Sequence, residues 1–487
     1  MSEEIKKLQP SEVWEHFYGL TQVPRPSKKE SKASEFIRKF GESLGLETIV
    51  DEVGNVIIRK PATQGYEGRA GIILQGHIDM VPQKNSDVKH DFEKDPIDAY
   101  VDGDVVRARG TTLGADNGIG VAAAMGVMAS KTLKHGPLEA LFTIDEETGM
   151  TGANYLKPGA LKGRILLNLD SEEEGELYVG CAGGIDGSFE VPVAYEALDH
   201  DRACLRLEVK GLQGGHSGAD IDAGQANAIK VAVRVMNHLA KYDLRLVTFE
   251  GGSLRNVIPR EAVAEIAVPM ASVKEFEKDF NAVRAEIKKE FSITDPGMQI
   301  ACAPVKTSTT RMLTAESTRR AVRALFVLPN GVVRMSDSMP GLVETSTNLA
   351  RVELGKDNIT FLCLLRSSVE SAKLSLSEKM AACVELAGGV AVFDNSYPGW
   401  NPNMNSAILN TMRNVYKKEY GKEPKVMAIH AGLECGILGG PYQDMDMISF
   451  GPTITLPHTP DENVNIESVA KFWDFLVKVL ENAPVAK

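Results

Sequence analysis

The sequence predicts an α/β fold in which a mixed sheet covered by helices is interrupted by a second, α+β domain. Three observations carry that expectation. The chain has 487 residues, 43% of them hydrophobic, which is more than one ordinary core accommodates. Apolar runs without alternation recur in the first third of the chain, as in strands buried on both faces. From about Gly187 the rhythm changes to amphipathic strands alternating with helical stripes, and the earlier rhythm returns after Tyr397. Residues 1–186 and 398–487 are therefore assigned to one domain and residues 187–397 to an inserted one, an arrangement that leaves a cleft for a ligand.

Along the first segment, Ala33, Phe36, Ile37, Phe40 and Leu44 form one helical stripe, followed by strand-like runs at 56–59 and 72–75. The runs at 138–144 and 165–169 read as strands covered on both faces, with 117–129 as a covering helix. In the insert, a strand at 204–209 precedes a helix at 225–241, a strand region at 254–269 and a helix at 273–291. A helix at 316–326, strand regions at 348–354 and 359–366 and a helix at 368–386 repeat that order, the pattern of a duplicated unit. A helix at 406–420, strands at 426–429 and 447–450 and a helix at 466–480 then complete the first sheet.

Composition excludes several classes. There are 54 basic and 66 acidic residues, a formal charge of −12, with no basic cluster to neutralise a phosphate backbone, so nucleic acid is not an expected partner. Residues 1–10 are charged, and the longest near-apolar run, 118–129, is too short to cross a bilayer; a cytoplasmic protein without a membrane partner is expected. The six cysteines are scattered without CxxC spacing, which argues against a disulfide framework and against a thiolate zinc site.

Acidic and imidazole groups gather at or just beyond the apolar strands. His77 and Asp79 follow Leu74-Gln-Gly, Glu146 and Glu147 follow Thr143-Ile-Asp, Asp170 follows Leu167-Asn-Leu, and His458 follows the strand ending near Phe450. In open α/β sheets ligands bind at that edge. Asp116 sits in a glycine-flanked loop before an apolar helix. Taken singly, such carboxylates cap helices or face solvent, and a lone histidine is structural. Taken together, two histidines with carboxylates and no thiolate make an oxygen-rich set suited to catalytic zinc, cobalt or manganese. With one bridging carboxylate, five ligands suffice for two ions.

The order His-x-Asp at 77–79, Asp116, Glu146-Glu147, Asp170 and a distant His458 resembles the di-zinc aminoacylase and carboxypeptidase superfamily of metallopeptidases. Longer stretches resemble its aminoacyl-histidine dipeptidase (Xaa-His dipeptidase) family: Arg109-Gly-Thr-Thr-Leu-Gly-Ala-Asp-Asn-Gly-Ile-Gly, Asp170-Ser-Glu-Glu-Glu-Gly-Glu, Gly180-Cys-Ala-Gly-Gly-Ile-Asp, His430-Ala-Gly-Leu-Glu-Cys-Gly and Gly451-Pro-Thr-Ile-Thr. The resemblance implies a di-zinc catalytic domain with an inserted lid. It places His77 and Asp170 on one metal, Glu147 and His458 on the other and Asp116 between them, with two Zn2+ per subunit, or Co2+ or Mn2+ in their place. Glu146 is then the general base acting on the bridging water, and Asp79 the residue that orients His77. In the lid, His216 is implied to donate to the tetrahedral oxyanion and Arg366 to pair with the substrate's C-terminal carboxylate, while Asn256 and Gly432, with Glu434 nearby, line the substrate site. The implied activity is metal-dependent hydrolysis of dipeptides, Xaa-His including β-alanyl-histidine, in a homodimer formed through the lid. Tripeptidase and N-acyl amino-acid deacylase activities are the sister expectations, and a catalytically silent binding protein is the non-enzymatic one.

Overall fold

Isoleucine and leucine predominate in the strands Ile72–His77, Leu138–Thr143 and Ile165–Asn168, and every residue of the three is buried, as a strand covered on both faces requires. In the computed structural model, which describes residues 3–442 and 444–486, these strands lie at the centre of an eight-stranded sheet. Its order is Glu47–Val50, Val56–Lys60, Leu138–Thr143, Ile72–His77, Ile165–Asn168, Asp446–Ser449, Glu176–Cys181, Lys425–Ile429. Ile72–His77 runs parallel to both its neighbours, and Asp446–Ser449 is parallel to Ile165–Asn168. The helix Ala115–Ala129 is buried almost all round and packs between the strand Ile72–His77 and the helix Ser11–Thr21. No helix among the described residues is long and apolar enough to cross a membrane.

The chain divides into two compact units. Residues Met1–Gly180, Pro402–Ala428 and Leu433–Lys487 form the first, and Cys181–Asn401 with Ile429–Gly432 the second. The divisions expected after residues 186 and 397 move to Gly180 and Asn401 because backbone pairing continues past both. The strand Gly183–Pro192 belongs wholly to the second sheet, Cys181 exchanges backbone hydrogen bonds with Trp400, and the Ala182 N–H donates to Ile429 and Ala431. Ile429–Gly432 is thereby drawn into the second unit.

That unit holds a second sheet in the order Gln299–Pro304, Arg202–Lys210, Ala262–Pro269, Arg245–Gly252, Val343–Leu354, Asn358–Ser367, Gly183–Pro192, Val390–Tyr397, with Gly331–Met335 paired to Val343–Leu354. All these pairs are antiparallel. The first four strands with helices Ala228–Leu239 and Val273–Glu290 make a βαββαβ unit in the 4-1-3-2 order of ferredoxin-like folds. The remaining path has the same order read from its far end, with helices Ala315–Val327 and Glu370–Glu385, but its first strand is Gly183–Pro192. One repeat is thus inserted into the other after its first strand, a separation that sequence order conceals. The strand region expected at 254–269 also divides, into Val257–Ile258 and Ala262–Pro269, and Arg245–Gly252 is a further strand.

Candidate metal centre and substrate groups

Three neighbouring parallel strands end at one edge of the first sheet. His77 closes Ile72–His77, directly opposite Thr143; Glu146 and Glu147 open the one-turn helix that follows Leu138–Thr143, and Asp170 lies two residues past Ile165–Asn168. Asp116 stands in the first turn of Ala115–Ala129. His77 Nε2 is 3.0 Å from Asp116 Oδ1 and 3.3 Å from Asp170 Oδ1. His458 Nε2 is 3.1 Å from Asp116 Oδ2 and 2.9 Å from Glu147 Oε2. Asp116 therefore offers one oxygen to each histidine.

The surrounding chain fixes these groups. Asp79 is fully buried just beyond the strand end; its Oδ1 lies 3.3 Å from His77 Nδ1, and its carboxylate accepts from Ser27 Oγ and the Glu146 and Glu147 N–H groups. One carboxylate so orients both the histidine and the adjacent glutamates. The Asp116 loop turns at Gly114, whose φ is +70° and where a Cβ would lie 2.6 Å from Arg25 Nη2, so only glycine suits. The buried Arg25 donates to the carbonyls of Ile78, Asp79 and Gly114. Buried Glu462 accepts from four successive N–H groups, those of Leu113, Gly114, Ala115 and Asp116. His458 itself holds a φ of 62°, a backbone conformation that a non-glycine residue keeps only where its surroundings enforce it.

Burial and crowding shift the carboxylates upward. Burial, with neighbouring negative charge, raises Asp170 to about 6 and Glu172 to about 8, and holds Glu146 well above the ordinary carboxylate range. Burial pushes Asp116 up as well, but hydrogen bonds to His458 and His77 hold it well below its usual value. The Asp116 and Glu147 carboxylates push His458 up to about 11; at His77, burial opposes and the Asp170, Asp116 and Asp79 carboxylates prevail. The cluster is a negative pocket that draws in positive charge.

In the second unit, His216 lies in a two-residue strand paired with Val257–Ile258. Its Nδ1 accepts from the Gly218 and Ala219 N–H groups, and burial followed by Arg366 lowers its pKa, so the neutral ring carries its proton on Nε2. Arg366 is 5% exposed and has no carboxylate within salt-bridge distance among the described residues; Nη1 reaches only Tyr397 Oη, at 3.2 Å, and Nε is buried without a partner. Ser346 sits directly across the sheet from Arg366, and its hydroxyl lies 2.7 Å from His430 Nε2. Burial, then Arg366, drives His430 down to about 3. A buried guanidinium beside neutral imidazoles is a site for an anion. Asn256 is exposed and its carbonyl accepts from the Ser217 N–H, next to His216; Gly432 follows His430 by two residues.

Residues 73–482 match the profile of Peptidase family M20/M25/M40. The chain belongs to that family. It is 44% identical over 482 residues to the cytosol non-specific dipeptidase of Escherichia coli, covering 99% of both chains. It is also similar to the crystal structure of aminoacylhistidine dipeptidase from Vibrio alginolyticus, with a TM-score of 0.96 at 46% identity over 100% of this chain and 99% of that one. Aminopeptidase PepT from Bacillus cereus shares the fold at a TM-score of 0.62 and 18% identity, covering 98% of this chain and 99% of the other.

The donor set of this M20 chain fits a pair of divalent cations. Two overlapping groups, His77 with Asp116 and Asp170, and Asp116 with Glu147 and His458, have ligand atoms within 4.8 Å of one another and share Asp116. Glu147 Oε1 is buried without a hydrogen-bond partner, as expected of an oxygen that faces a cation. Reading the sequence missed the clamp formed by Arg25 and Glu462. The only local cue was the position of Glu462 four residues after His458, with Arg25 between two prolines. It also missed Ser346 and Tyr397, ordinary strand residues until the sheet sets them beside Arg366.

Proposed function

We propose that this M20 chain is a two-metal dipeptidase that hydrolyses the peptide bond of short peptides with a free C-terminal carboxylate. The observation that carries this reading is the placement of Asp116 between His77 and His458, one oxygen to each, with Glu146 alongside. His77 and Asp170 would hold one ion, Glu147 and His458 the other, and Asp116 both. Zinc is the assigned metal, and cobalt or manganese suits the same donors. When bound, the ions supply Lewis acidity towards the scissile carbonyl and the attacking water.

The chain's own groups account for the remaining steps. Glu146 takes a proton from the attacking water as the C–O bond forms, then gives it to the departing nitrogen as the C–N bond breaks. Asp79 keeps His77 and the Glu146 backbone in register. His216 presents an Nε2–H suited to the oxyanion of the tetrahedral intermediate, and Arg366 clamps the terminal carboxylate, with His430, Ser346 and Tyr397 around it. Asn256 and Gly432 belong to the same substrate surface. We assign the first unit the catalytic role and the second the lid role, in a homodimer joined through the second unit, whose strands Gly331–Met335 and Val390–Tyr397 expose Val332, Val333, Met335, Val390 and Val392. The location is cytosolic, in keeping with the name of the E. coli relative.

The test is a panel of dipeptides including β-alanyl-histidine, with tripeptides and N-acyl amino acids as controls, before and after chelation and metal return. Metal-restored cleavage confined to dipeptides supports the reading. Preference for histidine at the second position narrows it to the Xaa-His class, and equal rates across side chains broaden it. Cleavage of tripeptides or acylated amino acids in their place shifts it to a sister activity, and silence of the metal-loaded protein favours a binding function.

A further inference from the structure

Glu434 is fully buried in the first unit, and the mechanism above does not use it. Its Oε2 accepts from Gln75 Nε2 at 2.6 Å and from Thr143 Oγ1 at 2.8 Å, while Oε1 is buried with no partner. Those two contacts locate it. Gln75 lies two residues before His77 and so projects from the same face of the strand, and Thr143 is the residue paired with His77 across the parallel ladder. The Glu434 carboxylate is therefore on the His77 face, and it contributes to the upward shift of Glu146. A buried carboxylate oxygen without a donor costs about 1–3 kcal/mol or more, so it is expected where a ligand supplies the donor.

Chemistry says what that ligand carries. A carboxylate oxygen only accepts, so its partner donates, and a positively charged donor makes the strongest bond to it. The Glu434 carboxylate shares its strand face with His77, whose ring also meets the Asp116 and Asp170 carboxylates, so the substrate group there should be a cation. In a dipeptide, the only charge next to the scissile carbonyl is the α-ammonium, one carbon away. We propose that Glu434 accepts the free N-terminal ammonium of the substrate and so selects peptides with an unblocked amino end. The assignment rests on the dipeptidase reading and adds to it a group that distinguishes peptides from N-acylated compounds.

The test compares alanyl-histidine, β-alanyl-histidine and N-acetyl-alanyl-histidine as substrates of the metal-loaded wild type, E434Q, E434D and E172Q, with metal content and melting temperature followed throughout. The wild type should prefer the free amine over the acetylated peptide by about 100-fold, and E434Q should collapse that ratio, chiefly through KM, while retaining two metals. E434D withdraws the carboxylate by one methylene and should shift preference towards β-alanyl-histidine, whose amine reaches one methylene further. A structural role would not produce that shift. Parallel loss on all substrates, or an unchanged ratio in E434Q with an unchanged preference in E434D, overturns the assignment, as does a ratio that collapses only in E172Q. A metal-loaded wild type inactive on every peptide overturns the dipeptidase reading itself and the assignment with it.

Discussion

Replacing Glu462 with glutamine isolates what holds the bridging carboxylate in place. Glu462 Oε2 accepts from Leu113 N at 2.8 Å and Gly114 N at 3.0 Å; Oε1 accepts from Ala115 N at 2.7 Å and Asp116 N at 3.2 Å. A carboxamide keeps one oxygen for two of these donors and turns an NH2 group towards the other two. Each buried N–H left unmet costs about 1–3 kcal/mol, so the loop loses about 2–6 kcal/mol before the charge facing Arg25 is counted. For a unit of this size that corresponds to a fall in Tm of at least about 4 °C. Because both histidines meet on Asp116, metal affinity should fall about 10–100-fold, the usual range when a residue supporting a ligand is lost. The assay is zinc titration of E462Q against a chelator buffer, alongside thermal unfolding of the metal-free protein. An affinity within about twofold of wild type and a Tm within about 2 °C would refute the claim that this carboxylate positions Asp116.

Glu146→Gln should retain both metals by elemental analysis and lose about 10²–10⁴ in kcat, since only the proton carrier is removed; metal loss with retained turnover would reassign the residue. Arg366→Met should raise KM for free dipeptides on the order of 100-fold and leave dipeptide amides unaffected, as measured by paired steady-state kinetics. His430 should make the second unit acid-sensitive. Burial lowers its folded pKa to about 3 from the ordinary 6.5, so its contribution to stability is complete above pH 6.5 and is lost as pH falls towards 3. Hydrogen exchange across that range should show a shallower pH dependence in His430→Gln than in wild type, and equal slopes would count against a neutral buried ring.

Much of the molecule was legible because burial leaves a local imprint. The runs at 72–77, 138–143 and 165–168 are mostly apolar without alternation, as strands buried on both faces require, and polar residues at or just past their ends mark the edge where a site forms. Asp116 was conspicuous because a turn at positive φ requires Gly114 immediately before the helix. Those requirements act within a few residues, so the sequence by itself marked the central strands of the first sheet and singled out His77, Asp116, Glu146, Glu147, Asp170 and His458 as a group. Only the tertiary structure decided which residues support that group and where the repeats divide. Arg25 and Glu462 hold one loop from opposite ends of the chain, Glu434 reaches Gln75 and Thr143 from some 290 residues or more away, and Gly183–Pro192 completes a repeat whose other strands begin at Val343. Periodicity reports that a residue is buried; its partner depends on how the chain returns, which no local pattern records.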